Sequence, residues 1–231
     1  MGTRGRCFHL IAVAAVAALP TAALAAPSNV DISRAIYARF SPERVGKHSH
    51  VIFTADLTKD PNRGGRTPRS ITFRFARGFN INRGAVQSRC SSGQARAHSC
   101  PAQSQIGSAS FVTAVKQGAQ RVVGQVKLYL GAAQHATSGT VKADVRSAGH
   151  RRSTTGQIVR INDPVYAYEL RVDGLRSAAG GAVQRIHANI GASSLITNPR
   201  ICPGGWHYGV AVTYTDGVRH RGDGSASCKE R

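Results

Sequence analysis

The segment Tyr166-Ala-Tyr-Glu-Leu-Arg-Val-Asp173 decides the fold class, because apolar and charged side chains alternate along it. One set of alternate positions is apolar: Tyr166, Tyr168, Leu170 and Val172. The other set carries charge: Glu169, Arg171 and Asp173. Successive side chains of a β-strand point to opposite faces, so a period of two predicts a strand with one buried and one solvated face.

The same period of two recurs along the chain, in residues 51–58, 71–76, 126–130, 141–146, 185–190 and 210–214. Gly, Pro, Asp and Asn residues between these segments predict turns. Only residues 91–97 predict a short turn of helix after the N-terminal region. Many short, half-buried strands joined by such turns predict an all-β fold, an antiparallel β-sandwich of the Ig-like or jelly-roll-like kind. A barrel is the alternative.

The N-terminal residues have the pattern of a secretory signal peptide. A basic start is followed by an apolar, alanine-rich run, and Ala23-Leu24-Ala25 supplies small residues for cleavage. Pro20 interrupts this run, whereas a spanning helix needs about 20 apolar residues. We therefore predict a cleaved signal helix over residues 1–25 and a single secreted β domain over residues 26–231. No second apolar span occurs, so we expect no transmembrane anchor after cleavage.

Cleavage would leave four of the five cysteines in the mature chain. An even number of cysteines in an exported protein predicts disulfides. Three pairings are open, and the spacing favours Cys90 with Cys100 and Cys202 with Cys228. Zinc binding is the competing interpretation, but no Cys-x-x-Cys pair supports it. We predict neither a metal nor a cofactor.

The segments around these cysteines carry a recurring pattern. Cys100-Pro-Ala-Gln-Ser-Gln-Ile-Gly107 follows a first cysteine, and Asn198-Pro-Arg-Ile-Cys202 precedes the strand 210–214. Residues 68–228 in this respect resemble a family of uncharacterised secreted actinobacterial proteins that share Cys-Pro-Ala-x-Ser-x-Ile-Gly and Asn-Pro-x-x-Cys elements. The resemblance implies an exported, envelope-associated β domain and no catalytic residues. Physically, Gly107 predicts a turn or bulge at the start of its strand.

Basic residues dominate the charge. The 31 Lys and Arg outnumber the 11 Asp and Glu, and the net charge of +20 falls to +18 without Arg4 and Arg6. Arginine outnumbers lysine 25 to 6, and its planar fork matches phosphate and carboxylate groups. Six cations on the solvated side of predicted strands are candidate polyanion-binding residues: Arg74, Lys127, Lys142, Arg146, Arg171 and Arg185. The alternative is an arginine-rich surface that only keeps the protein soluble.

Other candidate sites have simpler explanations. Trp206 and Tyr208 are candidates for stacking on a ligand, with burial at a corner of the fold as the alternative. Arg221-Gly222-Asp223 is an integrin-type tripeptide, for which turn chemistry is the simpler explanation. His48 and His50 fall on one side of a strand, but the sequence suggests no third metal ligand. No Gly-x-Ser-x-Gly element marks a nucleophile, so we predict no catalytic residues.

Together these features predict a secreted, non-enzymatic β-sandwich that associates with the cell envelope. Its basic face would bind anionic envelope polymers, because a basic surface attracts polyanions by steering and counterion release. A carbohydrate- or polyanion-binding module is the alternative, and a hydrolase is a third hypothesis. Sequence-specific nucleic-acid binding is not expected, because no recognition helix is predicted.

Overall fold

The structure is a computed structural model that describes residues 30–60, 63–113, 121–135, 138–174 and 182–230. The predicted signal peptide, residues 1–25, lies outside the described residues. Within these ranges, no helix has the length and apolar character needed to cross a membrane.

Strands make up most of the described chain. In order they are β1 Val30–Asp31, β2 Ile36–Ser41, β3 His48–Asp56, β4 Pro68–Ala76, β5 Asn80–Ile81, β6 Gln105–Thr113, β7 Val123–His135, β8 Ser138–Ser147, β9 His150–Arg160, β10 Tyr166–Asp173, β11 Val183–Ile190, β12 Ile196–Thr197, β13 Trp206–Tyr214 and β14 Arg219–Ala226. The helix α1 spans Ser92–Arg96, and 3-10 turns span Ser33–Ala35, Leu57–Lys59, Arg83–Ala85, Ala102–Ser104 and Ala192–Ser194. The predicted helical turn inside the first disulfide loop is therefore confirmed.

The strands form one large sheet in the order β1-β14-β13-β4-β10-β9-β8-β7-β6-β11-β3-β12-β5, with β2 paired to β3. β1 lies parallel to β14, and the other strand pairings are antiparallel. The sheet is not closed into a barrel. Its two ends pack on each other: the amide of Ala38 donates to the Tyr208 hydroxyl at 3.1 Å. This arrangement confirms the all-β fold class and is consistent with a sandwich.

Aromatic side chains fill the inner face where the two ends of the sheet meet. Neighbouring rings in this cluster have centroids 4.5 to 5.8 Å apart, which is within the range of favourable edge and stacked contacts. The cluster consists of Phe40, Phe53, Phe73, Phe75, Phe79, Trp206 and Tyr208. These contacts hold β2 and β3 against β4 and β13.

The rest of the inner face carries smaller side chains. Ala109, Ala143 and Ala188 project from β6, β8 and β11 into an apolar cavity of about 70 Å³. An unfilled cavity of this size destabilises a core by about 2 kcal/mol at roughly 24 cal/mol per Å³. The inner face is therefore densely packed at one side and underfilled at the other.

Tyr166 departs from the alternation of its own strand. The pairing of β10 with β4 shifts register between Tyr166 and Tyr168, and a bulge of this kind turns one side chain to the opposite face. The Tyr166 hydroxyl accordingly bonds the exposed Asp223, and the guanidinium carbon of Arg74 lies 5.8 Å from the centre of its ring. The expectation that Tyr166 shares the inner face with Leu170 is wrong.

Strand β14 contains the tripeptide Arg221-Gly222-Asp223, for which the sequence predicted a turn. That prediction is wrong, because the glycines of this strand face inward against close neighbours. A Cβ on Gly222 would lie 2.5 Å from the backbone nitrogen of Ser33. A Cβ on Gly224 would lie 2.4 Å from the ring of Tyr208. Glycine is therefore required by close approach in a regular strand.

Both favoured cysteine pairings are confirmed. The Cα atoms of Cys90 and Cys100 are 5.0 Å apart, and those of Cys202 and Cys228 are 5.7 Å apart, as disulfides require. The Cys90–Cys100 loop holds α1, whose start is capped reciprocally by Ser91 and Gln94.

A buried polar group fixes the β13–β14 hairpin to the turn after β3. Tyr214 donates a hydrogen bond to the Asp60 carboxylate at 2.5 Å, and His220 Nδ1 bonds the same carboxylate oxygen. The side chains of Asp60 and His220 are at most 1 % exposed. Burial and the Asp60 carboxylate raise the pKa of Tyr214 far above its ordinary value, so its proton stays in this bond.

Candidate anion-binding surface

The six predicted cations spread over β4, β7, β8, β10 and β11 rather than meeting in one patch. Four of them lie in ion pairs, at Arg74–Glu169 3.1 Å, Arg171–Asp173 2.8 Å, Arg185–Asp56 3.0 Å and Arg146–Asp144 3.9 Å. Lys142 is 9 % exposed and donates to the Ser92 hydroxyl at 3.2 Å. Lys127 is exposed on β7. Most of the predicted residues are thus engaged by other side chains.

Asp144 organises the largest group of charges on the outer face. Its carboxylate accepts hydrogen bonds from Arg151 at 2.6 to 3.1 Å and lies 2.9 Å from His98 Nδ1. We refer to Asp144, Arg146, Arg151 and His98 as the Asp144 cluster. Burial alone would raise the pKa of Asp144, but the bonds and charges of Arg151 and His98 hold it below its ordinary value.

The Asp144 cluster is a structural element rather than a free surface. Arg151 also donates to the backbone carbonyl of His98 at 3.0 Å, and His98 belongs to the Cys90–Cys100 loop. The cluster therefore fastens that loop to β8 and β9. Asp144 is 5 % exposed, so its carboxylate interacts with the cations of the cluster rather than with solvent.

A different arrangement occurs on the outer face of β14, β13, β4 and β10. Arg221 lies opposite Ala211, Ala211 opposite Thr72, and Thr72 opposite Arg171. With strands roughly 4.8 Å apart, the two arginines begin about 14 Å apart across small side chains. The next row holds Arg219, Thr213, Ser70 and Asp173. We call Arg171, Arg219 and Arg221, with the floor Ser70, Thr72, Ala211 and Thr213, the arginine trough.

Arg219 lies beside other cations without a carboxylate of its own. Within the part of the chain that the structure describes, its Nε is buried and has no hydrogen-bond partner. Burial lowers the pKa of Arg219, and the charges of Arg221, Arg74 and Arg171 lower it further, opposed by Glu169. A buried N–H without an acceptor carries an energetic cost.

Tyr166 explains why Arg221 has no ion-pair partner among the described residues of its own strand. Asp223 is its nearest outward-facing acid along β14, and the Tyr166 hydroxyl bonds the Asp223 carboxylate. The Tyr166 side chain reaches Asp223 by passing over Gly209. Glycine leaves the room for it, since a Cβ there would lie 2.9 Å from the Tyr166 hydroxyl. Burial and the Asp223 carboxylate raise the pKa of Tyr166 far above its ordinary value. Tyr166 therefore stays protonated and keeps bonding Asp223.

The trough opens at one end into a pocket of about 550 Å³ at the rim of the sheet. Arg69, Arg171 and Asp173 line this pocket together with Thr154, Gly174 and Thr215. Arg69 is exposed, and Arg171 bonds Asp173 through its Nε alone. The remaining N–H groups of this guanidinium are available to an anion, because arginine carries five donors.

Trp206 and Tyr208 lie in the aromatic cluster. They are therefore buried, as in the second interpretation that the sequence allowed. Trp206 is 2 % exposed and Tyr208 is 3 % exposed. The indole Nε1 donates to the carbonyl of Ile201 at 3.0 Å. Neither ring presents a face to solvent, so the two residues form no stacking platform. Burial, the interpretation that the sequence favoured, is confirmed, and both residues hold the sheet ends together.

The described residues contain no group of three or more His, Cys, Asp or Glu side chains placed to hold a metal ion. His48 Nδ1 instead bonds the Thr197 hydroxyl at 3.1 Å. The buried pair of Asp60 and His220 resembles a catalytic dyad in composition only, since a pair at most 1 % exposed is closed to a substrate.

Sequence reasoning missed Arg219 and Arg221. The signal was present: Arg219, Arg221 and Asp223 alternate with His220, Gly222 and Gly224. Glycine at the inward positions, however, is typical of a turn rather than a strand. The strand becomes recognisable only once the close neighbours of these glycines are known.

No protein-family model, no curated protein and no solved structure matches this chain. The resemblance to secreted actinobacterial proteins therefore stays a prediction. Function is inferred from the side chains themselves.

Proposed function

We propose that this protein is a non-enzymatic binder of anionic polymers, exported from the cell and held at its envelope through the arginine trough. The observation that carries the proposal is that, among the residues the structure describes, no carboxylate forms an ion pair with Arg219 or Arg221, which lie next to a floor of small residues. Four of the six cations expected from the sequence are paired with carboxylates, so they offer less to a ligand.

The shape of the trough favours a polymer over a single small ion. Arg171 and Arg221 begin about 14 Å apart, with Arg219 beside Arg221 on the same strand, and phosphate or carboxylate groups repeated along a chain can meet several of them at once. Arginine recognises both groups through paired N–H donors. The floor residues Ser70, Thr72 and Ala211 have small side chains and are 1 to 4 % exposed, so a polymer would meet the arginine side chains above them rather than the floor itself.

Two observations are compatible with an extracellular location. Four cysteines lie in two disulfides, which persist in oxidising compartments. The described residues contain no helix that could span a membrane.

Polymer binding is tested with matched charge variants. We expect Arg219→Gln/Arg221→Gln to weaken binding to polyphosphate and to polygalacturonate, and to lower the salt slope of the binding constant by roughly one per lost contact. The control is Lys127→Gln/Arg185→Gln, which removes the same charge elsewhere on the outer face. Equal weakening by both double variants would show that net charge, and not the trough, binds the polymer.

Location is tested in cells that produce the full chain. We expect the wild-type protein in a low-salt envelope fraction and its release by a high-salt wash, because salt weakens exposed electrostatic contacts. The trough variant should appear in the medium already at low salt. Wild-type protein found free in the medium at low salt would contradict retention by charge.

A further inference from the structure

The inner apolar cavity and the outer arginine-lined pocket meet at the rim of the sheet. Thr154 and Gly174 line both of them. Thr154 projects inward from β9, and its hydroxyl donates to the backbone carbonyl of Asp173 at 2.8 Å. The apolar cavity and the arginine-lined pocket are therefore adjacent, with Thr154 and Gly174 between them.

The cavity suits an apolar group. It lies between the inner faces of β4, β6, β7, β8, β10 and β11, and its walls include Leu170, Val172 and Ile186. Alanine at three facing positions leaves the space open, where larger side chains would fill it. An apolar cavity of this kind stays dry and takes apolar ligands.

The pocket suits a single anionic group. Arg69 and Arg171 line it, and the one carboxylate there, Asp173, already accepts a bond from Arg171 Nε at 2.8 Å. The remaining donors of Arg171 and the exposed Arg69 guanidinium are therefore the groups that a ligand would meet.

We infer that this rim binds a short single-chain amphiphile, with its alkyl end in the cavity and its carboxylate or phosphate group at Arg69 and Arg171. The cavity of about 70 Å³ sets the length, because it is about half the size of the 150 Å³ apolar cavity that holds benzene. Only the last few carbon atoms of the chain fit inside. This ligand is distinct from the polymer of the proposed function and shares only Arg171 with it.

Calorimetric titration with sodium butanoate, hexanoate and octanoate tests the inference. Affinity should rise roughly fourfold per methylene group while the cavity fills, from the transfer free energy of a buried CH₂, and then level off. 1-Hexanol should bind at least about tenfold more weakly than hexanoate, since it lacks the charge that Arg69 and Arg171 meet. An affinity independent of chain length, or equal for alcohol and carboxylate, would overturn the inference.

Two variants separate the halves of the site. Ala143→Val fills the cavity and should weaken hexanoate binding at least about tenfold, while polyphosphate binding stays at the wild-type level. Arg69→Gln should reduce the affinity for hexanoate towards that for 1-hexanol. Arg185→Gln, which removes an arginine that is paired with Asp56 and does not line the pocket, is the control and should bind as the wild type does. Undiminished hexanoate binding by Ala143→Val would contradict the cavity as the site.

A measurement on the wild-type protein does not depend on how these variants fold. In methyl NMR spectra, hexanoate should shift the signals of Leu170, Val172 and Ile186, which line the cavity. Inorganic phosphate should leave them in place, because it has no chain to insert. Unshifted lining methyl signals at saturating hexanoate would overturn the inference, and a failure here would leave the polymer experiments unaffected.

Discussion

The Asp144 cluster and the arginine trough lie on the same outer face, and both gather arginine side chains. In the cluster, a carboxylate that is 5 % exposed stands at the centre, and Arg151 and His98 bond it. In the trough, Arg219 and Arg221 have small residues between them and the paired Arg171. The number of arginines in a region therefore does not show which of them are open to a ligand, because nearby acids engage some of them in ion pairs.

The largest expected loss of stability comes from removing the carboxylate at the centre of the Asp144 cluster. Asp144→Ala should lower the free energy of unfolding by about 3 kcal/mol, because Arg151 and His98 both lose the buried carboxylate with which they interact. Urea unfolding measures it. Asp173→Ala is the control: its pair with Arg171 is 39 to 48 % exposed, so the loss should stay below about 1 kcal/mol. Similar losses in both variants would mean that Asp144 contributes no more than a surface charge.

The next effect concerns the loop that the cluster fastens. Cys90→Ser/Cys100→Ser should lower the free energy of unfolding by about 3 kcal/mol, since the disulfide no longer restricts the unfolded chain. Arg151 still holds His98 of this loop, and the arginine trough lies on other strands. Polyphosphate binding by the folded variant should therefore remain unchanged. A variant that unfolds at the wild-type urea concentration would show that the loop is held by the cluster alone.

The pH dependence of stability tests the role of Asp144 in the cluster. The pKa of Asp144 is lowered from 3.8 in the folded protein, so the folded state favours its charged form. This contribution is fully present above the unfolded pKa and is lost as pH falls through the folded pKa. Stability measured from pH 5 to pH 2 should therefore fall less steeply in Asp144→Asn than in the wild type. Parallel curves would contradict the assignment.

The smallest effect is expected in the trough. Arg219→Gln should leave the free energy of unfolding within about 0.5 kcal/mol of the wild type, or raise it, because neighbouring cations and burial disfavour the charge that it removes. Arg151→Gln should lower it further, through its lost charged hydrogen bonds to Asp144. Thermal unfolding of the two variants compares them directly; a larger loss for Arg219→Gln would reverse the roles that we assign.

Local patterns were sufficient to predict much of the fold. Alternation placed strands near β3, β4, β7, β8, β10, β11 and β13, and the predicted bulge at Gly107 is confirmed by the register shift between β6 and β7. Spacing also favoured both disulfides. These features depend on residues close together in the chain, which is why sequence alone captures them.

The candidate site depended on contacts that the sequence does not display. Alternation placed Tyr166 inside, and only the bulge turns it outward to engage Asp223. Arg146 was expected to face a ligand, but Asp144 and Arg151 meet beside it across a hairpin. Whether a cation is paired with a carboxylate depends on tertiary packing. The charge of a residue on a strand therefore predicts that its side chain is exposed, but not that it is open to a ligand.

The pairing of β1 with β14 also sets an order of assembly. Val30 pairs with His220 and Asp31 with Arg221, so the first strand of the described chain finds its partner only when the last strand has been synthesised. Contacts so distant along the chain are typical of slow folding. Arg219 and Arg221 lie on that last strand, whereas Arg171 is made earlier. A chain still on the ribosome therefore lacks the complete trough, and the surface that we propose for polyanion binding is assembled in the same late step that completes the sheet.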